Sequence, residues 1–486
     1  MALFFQLRKT PLLTTIYDEN DAMGLGALVR KGEVNSLELV EEAISRIERL
    51  NPRLNAVTHK LYDQARASCA LPLSTGVFAG VPFLIKDLAV GWQGLPVTYS
   101  SKYFKDYIAP SDWDIAKKAR ATGLIPLGKT NVPELGASSS TEPLLYGPTI
   151  NPWNDKIIPG GSSGGSSVAV ASRMVPLADA SDGGGSIRIP AAVNAVVGLK
   201  PSRGRMTLGP DVVDFWYGSA VFLCVSRSVR DTAAYLDALS GCRPGEPYAL
   251  PNPQESFLSA LHQAPRRLRI GVTTTNPDAS PLHPEVKAAV QHAATLCERL
   301  GFDVEEFDFR YDVQSMQNAF ERITATLTAA FFEDSAVLLG RSVSEAEVEP
   351  VTWSLIETGK TVSGIQHAGD IEKVRKIARD IAGDANVFDA LLVPVLPTPP
   401  PPRGTRGPGE SDPKKCWANV LGDLIFTQPF NASGQPAITV PLYHTAEDIP
   451  VGVQFVARLG DEATLLHIAG RLEQLQPWRN RSPPGC

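Results

Sequence analysis

Pro159-Gly160-Gly161-Ser162-Ser163-Gly164-Gly165-Ser166-Ser167, followed by Asp182-Gly183-Gly184-Gly185-Ser186-Ile187-Arg188-Ile189-Pro190, is the stretch on which the reading of this chain turns. A flexible Gly/Ser linker has a similar composition, but the surroundings exclude one. Val168-Ala169-Val170-Ala171 between the two runs has no linker character, and strand-like and helix-like apolar segments flank both. A P-loop is excluded because no Gly-Lys-Ser/Thr follows the glycines, and no Gly-x-Gly-x-x-Gly spacing occurs. A serine directly behind three glycines has a physical use. Glycine lets successive backbone N–H groups turn toward one point, forming a concavity for an oxyanion, and the onset of a helix adds a favourable dipole. Ser186 is thus a candidate nucleophile beside its own oxyanion donors, the amides of Gly183, Gly184, Gly185 and Ser186.

A serine hydroxyl needs a base. None of the seven histidines lies in a catalytic-looking motif and no Gly-x-Ser-x-Gly elbow surrounds Ser186, which disfavours a Ser-His-Asp triad. A lysine can serve if burial strips its proton. Gly80-Val81-Pro82-Phe83-Leu84-Ile85 reads as a buried strand that delivers Lys86 at its C-terminal end, where open α/β sheets place chemistry. Two alternatives stand beside it: Lys86 in an ordinary ion pair with Asp87 or another carboxylate, and Lys129 of Gly128-Lys129-Thr130-Asn131 as the base.

Working outward, Asn35 to Leu50 carries Leu39, Val40, Ala43, Ile44, Ile47 and Leu50 at helical spacing, with Asn35 and Glu38 set for a capping box. Further segments read as a helix over 112–122, a strand over 124–127, a helix over 168–173 and a strand over 174–178. This alternation predicts a largely parallel, twisted sheet covered by helices. Residues 265–390 read as a helix-rich subdomain or insertion within a single domain spanning 1–486. Strand-like character returns at 391–394 and 452–456. The eight prolines of residues 394–413 predict an extended surface loop.

Composition sets the outer bounds. The 486 residues are 43% hydrophobic and 20% charged, ordinary for a globular chain, and the net charge of −6 offers no basic field for nucleic acid or anionic lipid. The six cysteines are scattered without metal-type spacing and read as free thiols in a reducing compartment. Leu3-Phe4-Phe5-Gln6-Leu7 is too short for a signal segment, and no run approaches a membrane span, so a cytoplasmic protein is expected. The sequons at Asn431 and Asn480 are accordingly read as chance matches.

Gly80-Val81-Pro82 with Lys86-Asp87, Gly128-Lys129-Thr130-Asn131, Asn151-Pro152-Trp153, the two glycine-serine runs, Gly198-Leu199-Lys200-Pro201, Phe430-Asn431 and Gly434-Gln435-Pro436-Ala437 together closely resemble the amidase signature family of serine hydrolases. The chain looks most similar to that family's aminohexanoate cyclic-dimer hydrolases and aryl acylamidases. The resemblance implies an α/β fold with a large mixed twisted sheet flanked by helices on both sides, and a Ser-cisSer-Lys triad. Ser186 matches the nucleophile, Ser162 the bridging serine on a non-proline cis peptide, and Lys86 the base, with Lys129 left to the scaffold. Gly183, Gly184, Gly185 and Ser186 match the oxyanion hole, and Ser163, Asp182 and Arg188 the groups that hold the turn. Gly183 departs from the pattern, since many members carry threonine there. Phe215, Trp216 and Tyr217, the Pro-rich loop, Trp417 and Phe426 fall where the family borders its substrate funnel. The implied activity is hydrolysis of a small hydrophobic or aryl amide or carbamate, and of esters. No metal or cofactor, no nucleic acid and no membrane is expected, and a homodimer is left open. The alternative is a glutaminase like the A subunit of a glutamyl-tRNA amidotransferase, working in a complex.

Overall fold

The structure, a computed structural model, describes residues 13–263 and 266–486; Leu3, Phe4, Phe5, Gln6 and Leu7 lie outside the described residues. Eleven strands form one sheet: β1 (Val57–Lys60), β2 (Pro82–Lys86), β3 (Ile125–Thr130), β4 (Leu177–Asp182), β5 (Val197–Lys200), β6 (Val221–Ser226), β7 (Arg269–Val272), β8 (Asp303–Glu306), β9 (Ala390–Pro394), β10 (Ala437–Val440) and β11 (Val453–Ala457). Their order across the sheet is β1-β3-β2-β4-β6-β5-β10-β11-β9-β7-β8. Helices flank this sheet on both faces. β2 runs parallel to β3 and β4, and β7 to β8 and β9, but the other six pairings are antiparallel. The sheet is therefore mixed rather than largely parallel. β5 to β6 and β10 to β11 are joined by loops instead of crossover helices, and a strand that returns through a loop pairs antiparallel.

The helix Ser36–Leu54 begins at Asn35 with a complete capping box, and the six apolar residues of its stripe are all buried. The first glycine-serine run behaves differently from expectation. The helix starts at Gly164, not Val168, and the strand after it is Leu177–Asp182, three residues beyond the predicted 174–178 start. Close packing explains the helical glycines. A Cβ at Gly165 would stand 2.5 Å from Asn131 N and one at Gly164 2.2 Å from Thr141 Oγ1. The run is a tightly seated helix at the heart of the sheet.

Within 265–390, β7 and β8 extend the sheet beside β9, and the helix Pro284–Arg299 packs on them. The helices Val313–Leu339, Pro350–Thr361 and Gly364–Ala385 then form a layer packed on one another. The first of these supplies Phe320, Thr324, Leu327, Thr328 and Phe331 to the wall of a cavity. The Pro-rich loop does not overhang that cavity. It is pinned to the 138–158 segment, with Pro401 O accepting from Ile158 N at 2.9 Å, Arg403 N donating to Lys156 O at 2.9 Å and Glu142 accepting from Gly404 N.

Candidate active site

Register decides which lysine reaches the site. Ile85 on β2 lies opposite Lys129 on β3, and Lys86 opposite Thr130. Because side chains alternate along a strand, Ile85 and Lys129 share one face with the next odd residue, Asp87, while Lys86 points to the other. Lys129 Nζ accordingly sits 3.5 Å from Asp87 Oδ1, both fully buried, and the Asp87 carboxylate also accepts from the Thr98 backbone at 3.0 Å. The expected partner of Lys86 has gone to its rival.

Lys86, 1% exposed, instead enters a cage of hydroxyls. Its Nζ stands 2.8 Å from Ser162 Oγ, 2.8 Å from Ser163 Oγ and 2.7 Å from Ser181 Oγ. The Gly161–Ser162 peptide is cis. Burial pulls the amine down to about 7, opposed in smaller measure by Asp179 and Asp182. Burial likewise pushes Asp179 up to about 7, against Lys86 and Lys129.

The second glycine run leaves the end of β4 as a turn whose four N–H groups, on Gly183, Gly184, Gly185 and Ser186, make no hydrogen bond within the protein among the described residues. Gly185 adopts φ +144°, and a Cβ there would lie 2.6 Å from Thr427 Oγ1, so only glycine fits. Gly183 has more room, its missing Cβ facing the Trp216 ring at 3.5 Å. The indole thus leans over Gly183.

Asp182 and Arg188 clamp this turn, both fully buried. Arg188 uses all five N–H groups: Nε and Nη2 reach the Asp182 carboxylate at 3.0 Å each, Nη2 also Asn431 Oδ1 at 2.6 Å, and Nη1 reaches Thr427 O at 2.9 Å and Gln454 Oε1 at 3.0 Å. Burial alone would raise the Asp182 carboxyl, but Arg188, with help from Asn431, holds it far below the usual carboxylate range. Asn431 is buried and donates to Asp182, so its sequon is structural.

Part of this arrangement opens on a cavity of about 340 Å³. Ser162, Ser181, Ser186, Gly183 and Gly184 line one end, and Tyr99, Phe215, Trp216, Phe222, Phe320, Phe331 and Trp417 supply aromatic surface. Among the described residues no histidine, lysine or arginine lines it, and the charged residues that do are Asp214 and Asp334. The Ser186 hydroxyl makes no hydrogen bond within the protein among the described residues. Phe215 and Trp216 line this cavity, but Tyr217 does not. Trp216 and Tyr217 both have φ +54°, which reverses the chain, and Tyr217 Oη turns away to His367 Nε2 at 2.7 Å. Phe426 is likewise core rather than wall, stacked on Phe309. Sequence reading missed Ser181 and Asp179, which sit in an ordinary-looking strand, and the helix residues Phe320 and Phe331, whose spacing matches any core stripe. Among the described residues no cluster of His, Cys, Asp or Glu is placed to hold a metal ion, and no helix is long and apolar enough to cross a membrane.

A family model described as amidase matches residues 38–466, and the chain belongs to this family: it is a hydrolase of carbon–nitrogen amide bonds. Over 479 residues it is 38% identical to a 6-aminohexanoate-cyclic-dimer hydrolase of Paenarthrobacter ureafaciens, covering 95% of this chain and 96% of that protein. The structure of a 6-aminohexanoate cyclic dimer hydrolase complexed with substrate has the same fold at a TM-score of 0.90 and 38% identity, over 96% of this chain and 98% of that one. A bacterial aryl acylamidase of the amidase signature family follows at 0.85 and 29% identity, over 95% of this chain and 97% of that one.

Proposed function

We propose that this amidase cleaves small, neutral, hydrophobic amides, aryl or cyclic, through an acyl-enzyme on Ser186, with Ser162 as relay and Lys86 as base. The observation that carries this reading is a fully buried lysine 2.8 Å from the Oγ of Ser162, a serine that lines the same cavity as Ser186, Gly183 and Gly184. A neutral amine has two N–H groups and one lone pair. Ser163 Oγ donates its own proton to Ser181 O, so it accepts one amine N–H, and Ser181 Oγ accepts the other. The lone pair is then left for the Ser162 hydroxyl, which in turn takes the proton of Ser186 as the latter attacks the acyl carbon. The amides of Gly183 to Ser186 receive the oxyanion, each worth roughly 3 kcal/mol, about a hundredfold in rate. The relay returns the proton to the leaving amine, and water repeats the cycle on the ester. Carbamates and esters share the acyl step and should also be turned over.

Lys86 must be neutral to act, and its pKa is lowered to about 7. The rate should therefore fall as pH drops below about 7 and level off above it, whereas an unperturbed lysine would keep gaining activity to about pH 10. A pH–rate profile of kcat on a neutral anilide checks this; a flat profile from pH 5 to 9 would remove Lys86 from its role. Ser181→Ala should lower the plateau roughly tenfold by freeing the amine to rotate. It should also move the acid limb to lower pH, because a hydroxyl stabilises the ammonium more than the amine. A lower plateau with an unmoved limb would reduce Ser181 to packing.

The cavity wall argues against glutamine as substrate. Its α-carboxylate would meet Asp214 and Asp334 and no cation. Trp216→Ala should lower kcat/KM for aryl amides by about tenfold relative to short aliphatic amides, since burying a ring against an indole contributes about 1–2 kcal/mol. Equal losses on both would assign Trp216 to the fold alone. The deciding assay is a panel of anilide, cyclic diamide, carbamate and glutamine substrates with Ser186→Ala as control. Glutamine as the sole substrate would overturn the reading.

A further inference from the structure

A second concavity of about 800 Å³ shares no wall residue with the catalytic cavity. Arg203, Arg375, Arg379 and Arg458 line it, and no carboxylate does. In a chain of net charge −6 this is a local inversion of sign. Two of the four are partly neutralised: Arg458 lies 3.8 Å from Asp389, and Arg379 3.6 Å from Asp380. Arg203 and Arg375 have no carboxylate within ion-pair distance among the described residues. Elsewhere Arg46, Arg188, Arg205, Arg322 and Arg406 each hold one.

The unpaired two are also pre-arranged. Both are organised on Tyr248, with the Arg203 guanidinium 5.1 Å from its ring centre and Arg375 Nη2 3.4 Å from its hydroxyl. Arg203 is half-buried and tied down by bonds to Gly218 O at 2.9 Å, Asn431 O at 3.0 Å and Ala432 O at 2.6 Å. Burial, with repulsion from Arg375, pulls its pKa below the usual arginine value, as expected of a cation still short of a counter-charge. Arg203 spends Nε and Nη2 on those carbonyls and keeps Nη1 for a ligand, and the exposed Arg375 stands beside it on Tyr248, so both guanidiniums have N–H groups to offer an oxyanion.

We infer that this groove binds a small multivalent oxyanion, a phosphate ester or polycarboxylate, between Arg203 and Arg375, with Arg379 and Arg458 at its rim. Four cations on one short groove suit a compact anion rather than a nucleic acid, which would meet an acidic surface beyond it. The site adjoins the catalytic one through Arg203, since Gly218 closes the loop carrying Phe215 and Trp216, and Asn431 holds Asp182.

Calorimetric titration of the full chain at low salt with pyrophosphate, citrate and acetate tests this. Saturable one-to-one binding of pyrophosphate or citrate is expected, with acetate at least about tenfold weaker and the tighter of the two naming the ligand chemistry. Arg375→Glu should weaken binding by about tenfold or more and leave anilide hydrolysis without anion unchanged. Ser186→Ala should bind the anion like wild type, which separates this site from the catalytic one. Arg379→Glu, on an exposed position of the same groove, serves if Arg375→Glu lowers the melting temperature. Absence of saturation at millimolar anion, or an affinity unmoved by both charge reversals, would overturn the inference.

Discussion

Ser186→Ala is expected to lower kcat by about 10⁵-fold or more while leaving the fold intact, because residues of a nucleophile–relay–base unit act together. Its hydroxyl makes no hydrogen bond within the protein among the described residues and faces the cavity, so removing it should leave the melting temperature essentially unchanged. Lys86→Ala should lower kcat by a comparable factor, since without the amine lone pair the Ser162 hydroxyl has nowhere to pass a proton. The decisive measurement is the double variant. If Ser186 and Lys86 serve one proton path, Ser186→Ala with Lys86→Ala is no slower than Ser186→Ala alone, and substantial turnover in either single variant would dismantle the assignment. Uncleaved substrate should still bind Ser186→Ala with wild-type affinity, because the aromatic wall is untouched.

Arg188→Ala is the substitution expected to damage the fold most. It removes five hydrogen bonds and leaves the Asp182 carboxylate fully buried without its guanidinium, held only by Asn431 and the backbone N–H groups of residues 187 and 188. Breaking a buried pair from one side costs about 3–5 kcal/mol, a large part of the 5–15 kcal/mol typical of a folded domain. The pH dependence carries the signature. In the wild type the Asp182 carboxyl is held low, so its contribution to stability is present above the ordinary carboxylate range and is lost only in strong acid. Without Arg188, burial raises that carboxyl instead, and the penalty shrinks as pH falls and the group protonates. Urea midpoints for wild type and variant should therefore lie far apart at pH 8 and converge towards pH 5. A constant gap would mean that Arg188 acts through packing. Arg188→Lys should not restore stability, since an ammonium cannot span Asp182, Asn431, Thr427 and Gln454 together.

Much of the site is legible along the chain because its backbone demands are local. A turn that leaves four successive N–H groups without hydrogen bonds among the described residues needs Gly185 at φ +144°, whereas Lys86, Lys129 and Lys200 all lie at or next to the ends of buried strands and position alone does not single one out. The spacing of Lys86, Ser162 and Ser186 carries the rest. Segment boundaries were less legible: glycine and serine in a helix look like a loop until the neighbours that crowd Gly164 and Gly165 are known. The mixed strand directions were hidden for a related reason, since a loop and a crossover helix are told apart more easily than the partners they bring together.

The sequence by itself pointed to the family, offered Ser186 and the amides beside it as the candidate nucleophile and oxyanion donors, and left Lys86 and Lys129 as candidate bases, of which the family resemblance favours Lys86. What only the tertiary structure decided is which groups share a face or a cavity. The β2–β3 register sends Lys86 to the hydroxyls and Lys129 to Asp87; Thr427, Asn431 and Gln454 reach Arg188 across more than 200 residues of chain; and Phe320, Phe331 and Trp417 become part of the cavity wall. Local backbone geometry is written in adjacent residues, whereas the burial that lowers the Lys86 pKa exists only once distant segments have closed over it.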